Sequence, residues 1–284
     1  VTSVNETPSA NQMTGTNELA RNTGSVTVAK TLSGADGYVG DGFAGFPVGI
    51  ACALDPADID NELAVNRMTG TATVLPGAAA VTLINDVPRG WTCAVNEGAF
   101  SGGLYDGSYA WGDETITVDG EETTSLTIAE TPRAVVVDNN IVRLTGSIEI
   151  EKQIAAGLEH AVSDGATFSG AYSCIYDEGT PREETFSGTW SVTDAGDATL
   201  VGDTVLPLGT VCDVTEETPN PADLVDVSWA WGTPVVAPQS ATVTANGPAS
   251  FTVTNTPQRV YSTVEITKEL VGPSTGFANP ALTV

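Results

Sequence analysis

Short runs in which apolar and polar residues alternate recur along the chain: SVTVAK at 25–30, VTLIND at 81–86, TITVDG at 115–120 and TSLTIAE at 124–130. Alternation of period two over four to eight residues, bounded by Gly, Pro, Asn or Asp, predicts β-strands separated by turns. No window keeps a 3.6-residue period for more than two turns; only Asp55–Met68 has room for a short helical turn. Many short strands at turn-punctuated spacing predict an all-β chain built of sandwiches.

The strands belong to a repeat with a period of about 120 residues, which fixes the organisation before any single motif does. RNTGSVTVAKTL (21–32) returns as RLTGSIEIEKQI (143–154) and again as STVEITKEL (262–270). FPVGIACALD (46–55) matches FSGAYSCIYD (168–177), and VPRGWTCAVNE (87–97) matches LPLGTVCDVTE (206–216). GSYAWG (107–112) matches VSWAWG (227–232), and SLTIAETP (125–132) matches SFTVTNTP (250–257). The expected division is the end of an earlier copy with its spacer (1–21), a first sandwich (22–132), a spacer (133–145), a second sandwich (146–258) and the opening of a third (259–284). VTSVNETP at the start reads as a closing strand, so the sequence predicts an array longer than this chain.

Side chains two apart on a strand share a face. Lys30 therefore shares a face with Val26 and Val28, Lys152 with Ile148 and Ile150, and Lys268 with Val264 and Ile266. The apolar face is the core face, so each amine is expected to point inward. By the same parity Glu97 follows Cys93 and Val95 into the core, and Glu216 follows Cys212 and Val214. On the strand read as closing, Glu130 follows Leu126 and Ile128 in the first copy, and Asn255 follows Phe251 and Val253 in the second. An unpaired buried charge costs several kcal/mol, so these groups are expected to meet one another.

A Lys on the first strand, a Glu on a middle strand and an Asn on the last resembles the collagen-adhesin B-type domains of Gram-positive surface proteins. The wording VTVAKTLSG, with paired Cys and a closing TVTNTP, is similar to tandem domains of actinobacterial surface proteins. The resemblance spans residues 22–284 and implies tandem immunoglobulin-like sandwiches in which Lys and Asn can join as an isopeptide bond. It places that bond at Lys152 and Asn255, with Glu216 as the acid. A desolvated Lys becomes a neutral nucleophile, a protonated Glu polarises the amide and carries protons, and ammonia leaves. In the first copy Glu130 occupies the place of the amide, so a buried Lys30–Glu130 ion pair beside Glu97 is expected there. A plain salt bridge or hydrogen-bonded cluster is the competing reading for both copies.

The four Cys fall two per copy at matching positions on strands predicted to be neighbours. Cys52–Cys93 and Cys174–Cys212 are the expected disulfides, which implies an oxidising compartment. Zinc is the alternative, but no CxxC spacing occurs and His160 is the single His. With 36 acidic against 10 basic side chains, the net charge of −26 argues against nucleic acid and anionic lipid as partners. No apolar run reaches 18 residues, so no membrane-spanning helix is expected.

Enzyme signatures are weak. The GxGxxG string at Gly40–Gly45 precedes a strand rather than a helix and has no counterpart in the second copy. His160 is the single His and has no counterpart in the other copy, which argues against a Ser–His–Asp triad. Asp55, Asp58 and Asp60 offer carboxylates for Ca²⁺ but lack the EF-hand order, so a solvated acidic loop is the better reading. Trp111, Trp229 and Trp231 suggest a sugar platform, yet Trp111 and Trp231 recur at equivalent places, which favours a core role. Trp91 is expected against the disulfide, and Trp190, unmatched in the first copy, is the candidate exposed aromatic. The expected function is a stalk, fibre or adhesin shaft outside a bacterial cell wall, without catalytic residues, cofactor or metal. The expected partners are neighbouring repeats. Identical chains in a filament or surface layer, or a glycan or host-protein ligand, are the alternatives.

Overall fold

The structure, a computed structural model, describes residues 17–267 together with Glu269 and Gly272. Val1–Pro8 and Lys268, read above as parts of further copies, lie outside the described residues. Residues 261–267 form no strand, and Val264 and Ile266 are exposed. The chain divides into two compact units, Val1–Thr145 with Pro207–Gly209 and Gly146–Leu206 with Thr210–Val284.

The first unit contains β1 (Thr23–Gly34), β2 (Phe46–Ala53), β3 (Arg67–Val74), β4 (Val81–Pro88), β5 (Thr92–Glu97), β6 (Tyr109–Val118), β7 (Glu121–Glu122), β8 (Ser125–Thr127) and β9 (Arg133–Arg143). Two sheets, ordered β4-β1-β9-β6-β7 and β3-β2-β5-β8, enclose one core. Asp55–Met68 contains a single 3₁₀ turn at Pro56–Asp58. The stretch 133–145, expected as a spacer, is instead mostly β9, which pairs in parallel with β1 and antiparallel with β6. Val135, Val137, Asn139 and Ile141 are all buried, so the polar DNN run is no loop; its middle residue alone turns inward with the apolar face.

Next along the chain come β10 (Thr145–Gly146), β11 (Ile148–Ile154), β12 (Thr167–Tyr176), β13 (Glu184–Thr193), β14 (Gly196–Asp197), β15 (Thr199–Gly202), β16 (Leu206–Pro207) and β17 (Val211–Glu216). They are followed by β18 (Trp229–Trp231), β19 (Val235–Ala237), β20 (Ser240–Thr242), β21 (Ala249–Asn255) and β22 (Pro257–Arg259). In the second unit the two sheets run β14-β11-β21-β19 and β15-β13-β12-β17-β20. Opening strand β11 again pairs in parallel with closing strand β21. The fold is therefore two tandem β-sandwiches, each with an opening strand in parallel beside a late one, β1 by β9 and β11 by β21.

Trp190 corrects a sequence expectation: it is 1% exposed, not a surface aromatic. On β13 Thr185, Ser187, Thr189, Ser191 and Thr193 alternate as exposed positions, so parity sends Trp190 inward. Its ring lies over Gly170, where a Cβ would stand 2.6 Å from the indole nitrogen, and its Nε1 donates to the Thr215 carbonyl at 3.0 Å. Trp190→Ala is expected to cost about 3–5 kcal/mol, read as an earlier denaturant midpoint for the second sandwich alone.

Candidate functional site: a buried lysine, glutamate and asparagine in each sandwich

Lys30 and Lys152 are each 1% exposed. Parallel pairing puts Lys30 beside Val137 and Lys152 beside Val253. Two residues on, and on the same face, stand Asn139 and Asn255, 3% and 0% exposed. From the facing sheet, Glu97 ends β5 and Glu216 ends β17.

The two clusters match closely. The Lys30 amine lies 3.7 Å from Glu97 Oε1, and the Lys152 amine 3.6 Å from Glu216 Oε1. Asn139 Nδ2 donates to Glu97 Oε2 at 2.7 Å, and Asn255 Nδ2 donates to Glu216 Oε1 at 3.0 Å. Each amine also donates to two main-chain carbonyls, Thr31 and Val137 at 3.1 Å in one sandwich, Gln153 at 3.0 Å and Val253 at 3.1 Å in the other. A phenyl ring, of Phe46 or Phe168, has its centroid 4.6 Å from the amine.

The first sandwich thus corrects the expected Lys30–Glu130 pair. Glu130 sits between β8 and β9 with its side chain 80% exposed, 3.4 Å from Arg89. β8 ends at Thr127, and three residues on Glu130 is left in water rather than beside Lys30. The amide is Asn139. The signal lay in the sequence: Val135, Val137, Asn139 and Arg143 repeat the spacing of Phe251, Val253, Asn255 and Arg259.

Burial sets the ionisation. Desolvation pulls Lys30 below the usual lysine range and brings Lys152 down to about 8. It pushes Glu97 and Glu216 up, against the pull of their lysines and asparagines. Glu97 Oε1, Asn139 Oδ1, Glu216 Oε2 and Asn255 Oδ1 are buried and accept no hydrogen bond. An orphaned buried acceptor costs about 1–3 kcal/mol. A protonated Glu supplies the donor this cluster lacks, and the neutral acid beside a neutral amine is the pair that acyl transfer needs.

The cysteines form Cys52–Cys93 and Cys174–Cys212. Trp91 joins the core cluster that holds the first of them. Trp111 and Trp231 pack on Phe46 and Phe168, and each indole N–H donates to a loop carbonyl, of Gly102 or Asn220. Trp229 lies under the Arg259 guanidinium, 4.0 Å from ring centroid to Cζ. Asp55 accepts from the Ala57 N–H and Asp58 from Asn61, and no group of three metal-ligating side chains occurs among the described residues. Gly40–Gly45 is loop, without a following helix.

A family profile described as "Domain of unknown function (DUF5979)" matches residues 26–142 and 148–258. No curated protein matches the sequence. Solved structures that match include the C-terminal fragment of pilus adhesin SpaC from Lactobacillus rhamnosus GG, at 11% identity and a TM-score of 0.34, covering 85% of this chain and 100% of that one. The major pilin from Streptococcus pyogenes matches at 12% identity and 0.29, covering 86% and 100%. The Bacillus anthracis TIE protein matches at 12% and 0.34, over 83% of this chain, which spans 34% of that one.

Proposed function

The chain belongs to the DUF5979 family, and from that premise we propose that it is a tension-carrying shaft segment of an extracellular bacterial surface protein, each sandwich closed by a Lys–Asn isopeptide bond. The observation that carries this reading is the buried Lys–Glu–Asn cluster bridging an opening strand and a late one in both copies. In each, the Lys lone pair attacks the Asn Cγ. The Nζ–Cγ bond forms, the Cγ–Nδ2 bond breaks, and ammonia departs. Glu takes the amine proton and returns one to the leaving nitrogen, with no change in oxidation state.

Position makes the bond mechanical. Pulling on the start of β1 and the end of β9 loads parallel neighbours in opposite directions, so their ladder is sheared rather than unzipped. A bond from Lys30 to Asn139 carries that tension past the rest of the sandwich, and one from Lys152 to Asn255 does so in the second. The disulfides suit an oxidising, extracellular setting. The net charge of −26 keeps a repetitive array soluble. Single-molecule stretching tests the reading: crosslinked sandwiches are expected to release only the residues outside each Lys–Asn pair. Release of the full chain length of both sandwiches would contradict it.

A further inference from the structure

Each disulfide stands in the same relation to the acid. Cys52 and Cys93 are directly opposed on β2 and β5, as are Cys174 and Cys212 on β12 and β17. Along β5 the buried face runs Cys93, Val95, Glu97; along β17 it runs Cys212, Val214, Glu216. On the opposed strand the same face leads from Cys52 back to Phe46, or from Cys174 back to Phe168. One covalently closed ribbon thus carries both the carboxylate and the ring that meet the amine, while Lys and Asn belong to the other sheet.

The acid end of that ribbon is held along one flank only: past each acid the Gly98 N–H still donates to the Pro47 carbonyl at 2.7 Å and the Glu217 N–H to the Ser169 carbonyl at 2.9 Å. Glu97 is the last paired residue of its ladder, opposite Val48, and Glu216 is the last of its own, opposite Gly170. On the other flank β8 pairs only with Thr92–Ala94, followed by one bond from the Val95 N–H to Thr124, and β20 pairs only with Val211–Asp213. A slip of two residues keeps the same face buried yet carries the carboxylate about 7 Å along the strand. Hydrophobic burial discriminates weakly against such a slip; a bond between directly opposed residues forbids it.

We infer that the cystine sets the acid against the amine, so that thiol oxidation gates the Lys–Asn reaction, with Cys52, Cys93, Cys174 and Cys212 as its positioning residues. This rests on the crosslink reading above. The order is oxidation, then acyl transfer. Two thiols pass two electrons and two protons to an incoming disulfide, which leaves as two thiols. The amine then displaces ammonia from the amide through the acid now held in place. A chain in a reducing compartment stays open, and locks once it reaches an oxidising one.

The test starts from full-length chain recovered unfolded and reduced in denaturant, then refolded with glutathione disulfide or with a thiol reductant. Proteolysis and mass spectrometry follow ammonia loss in each sandwich separately. With oxidant, both sandwiches crosslink; with reductant, each is expected to be slower by about tenfold or more, the scale of misplacing a catalytic group. Glutathione disulfide added to reduced protein that already melts cooperatively is expected to start the crosslink, which a role confined to folding does not produce. In Cys52→Val/Cys93→Val the first sandwich slows while the second, in the same chain, keeps its rate. Equal rates with and without the bridge overturn the inference, as does a first sandwich that fails to fold both in reductant and as the valine pair. No ammonia loss in either sandwich of the oxidised wild type is a separate result: it removes the crosslink reading and this inference with it.

Discussion

Asn139→Ala is expected to abolish ammonia loss in the first sandwich and leave the second untouched, whereas Glu130→Ala changes neither. Intact mass under reducing conditions reads both: wild type short by two ammonia, Asn139→Ala and Asn255→Ala each short by one. The pair of substitutions is decisive because Glu130 lies in the exposed link between β8 and β9, whereas Asn139 lies within β9 on the buried face beside Lys30. The thermal effect follows from chain entropy. A bond from Lys30 to Asn139 closes a loop of roughly 110 residues, of which the cystine already removes some, leaving about 4 kcal/mol. In a module of this size that shifts the melting midpoint by on the order of 15 °C. Melting curves of Asn139→Ala should therefore show one early transition and one unchanged, and a single unshifted transition would deny that the bond forms in the wild type.

Strand parity is enough to aim Lys30, Lys152, Glu97 and Glu216 inward, because a residue two positions on from a buried apolar residue shares its face. The cysteines were legible for the same reason, being at matched positions on strands that had to be neighbours. The third member of the first cluster was not. IAETP and VTNTP share their Thr-Pro turn, and matching them lined up β8 with β21, strands that lie in different sheets. What separates them is pairing at long range: β9 finds β1 more than 100 residues away, and nothing local announces a parallel neighbour. Trp190 obeys the same parity as the lysines, since the Thr and Ser on either side of it mark the outer face, and the lack of a counterpart in the first copy says nothing about burial.

Glu97→Gln and Glu216→Gln are expected to slow crosslinking of their own sandwich by about 10²–10⁴-fold, the usual range for losing a positioned general acid–base. Gln keeps the size and accepts the Asn hydrogen bond but cannot carry the proton from the attacking amine to the departing one. The dependence on pH follows from the same proton. The reactive pair is neutral amine with neutral acid, which holds one proton between them, as does the ion pair it exchanges with. Gaining a second proton makes the amine a cation with no carboxylate to receive its proton; losing the last one leaves no acid for the leaving group. Lys and Glu therefore titrate as a unit, and the rate in wild type should be bell-shaped. Burial raises Glu216, which moves the ascending limb above the ordinary carboxylate range, and it lowers Lys152, which brings the descending limb down towards about 8. Refolding the unfolded chain with oxidant across a series of pH values, and following ammonia loss from the second sandwich, traces this curve. A rate that climbs without limit through pH 10 would mean that the amine needs only to be deprotonated and that the glutamate takes no part.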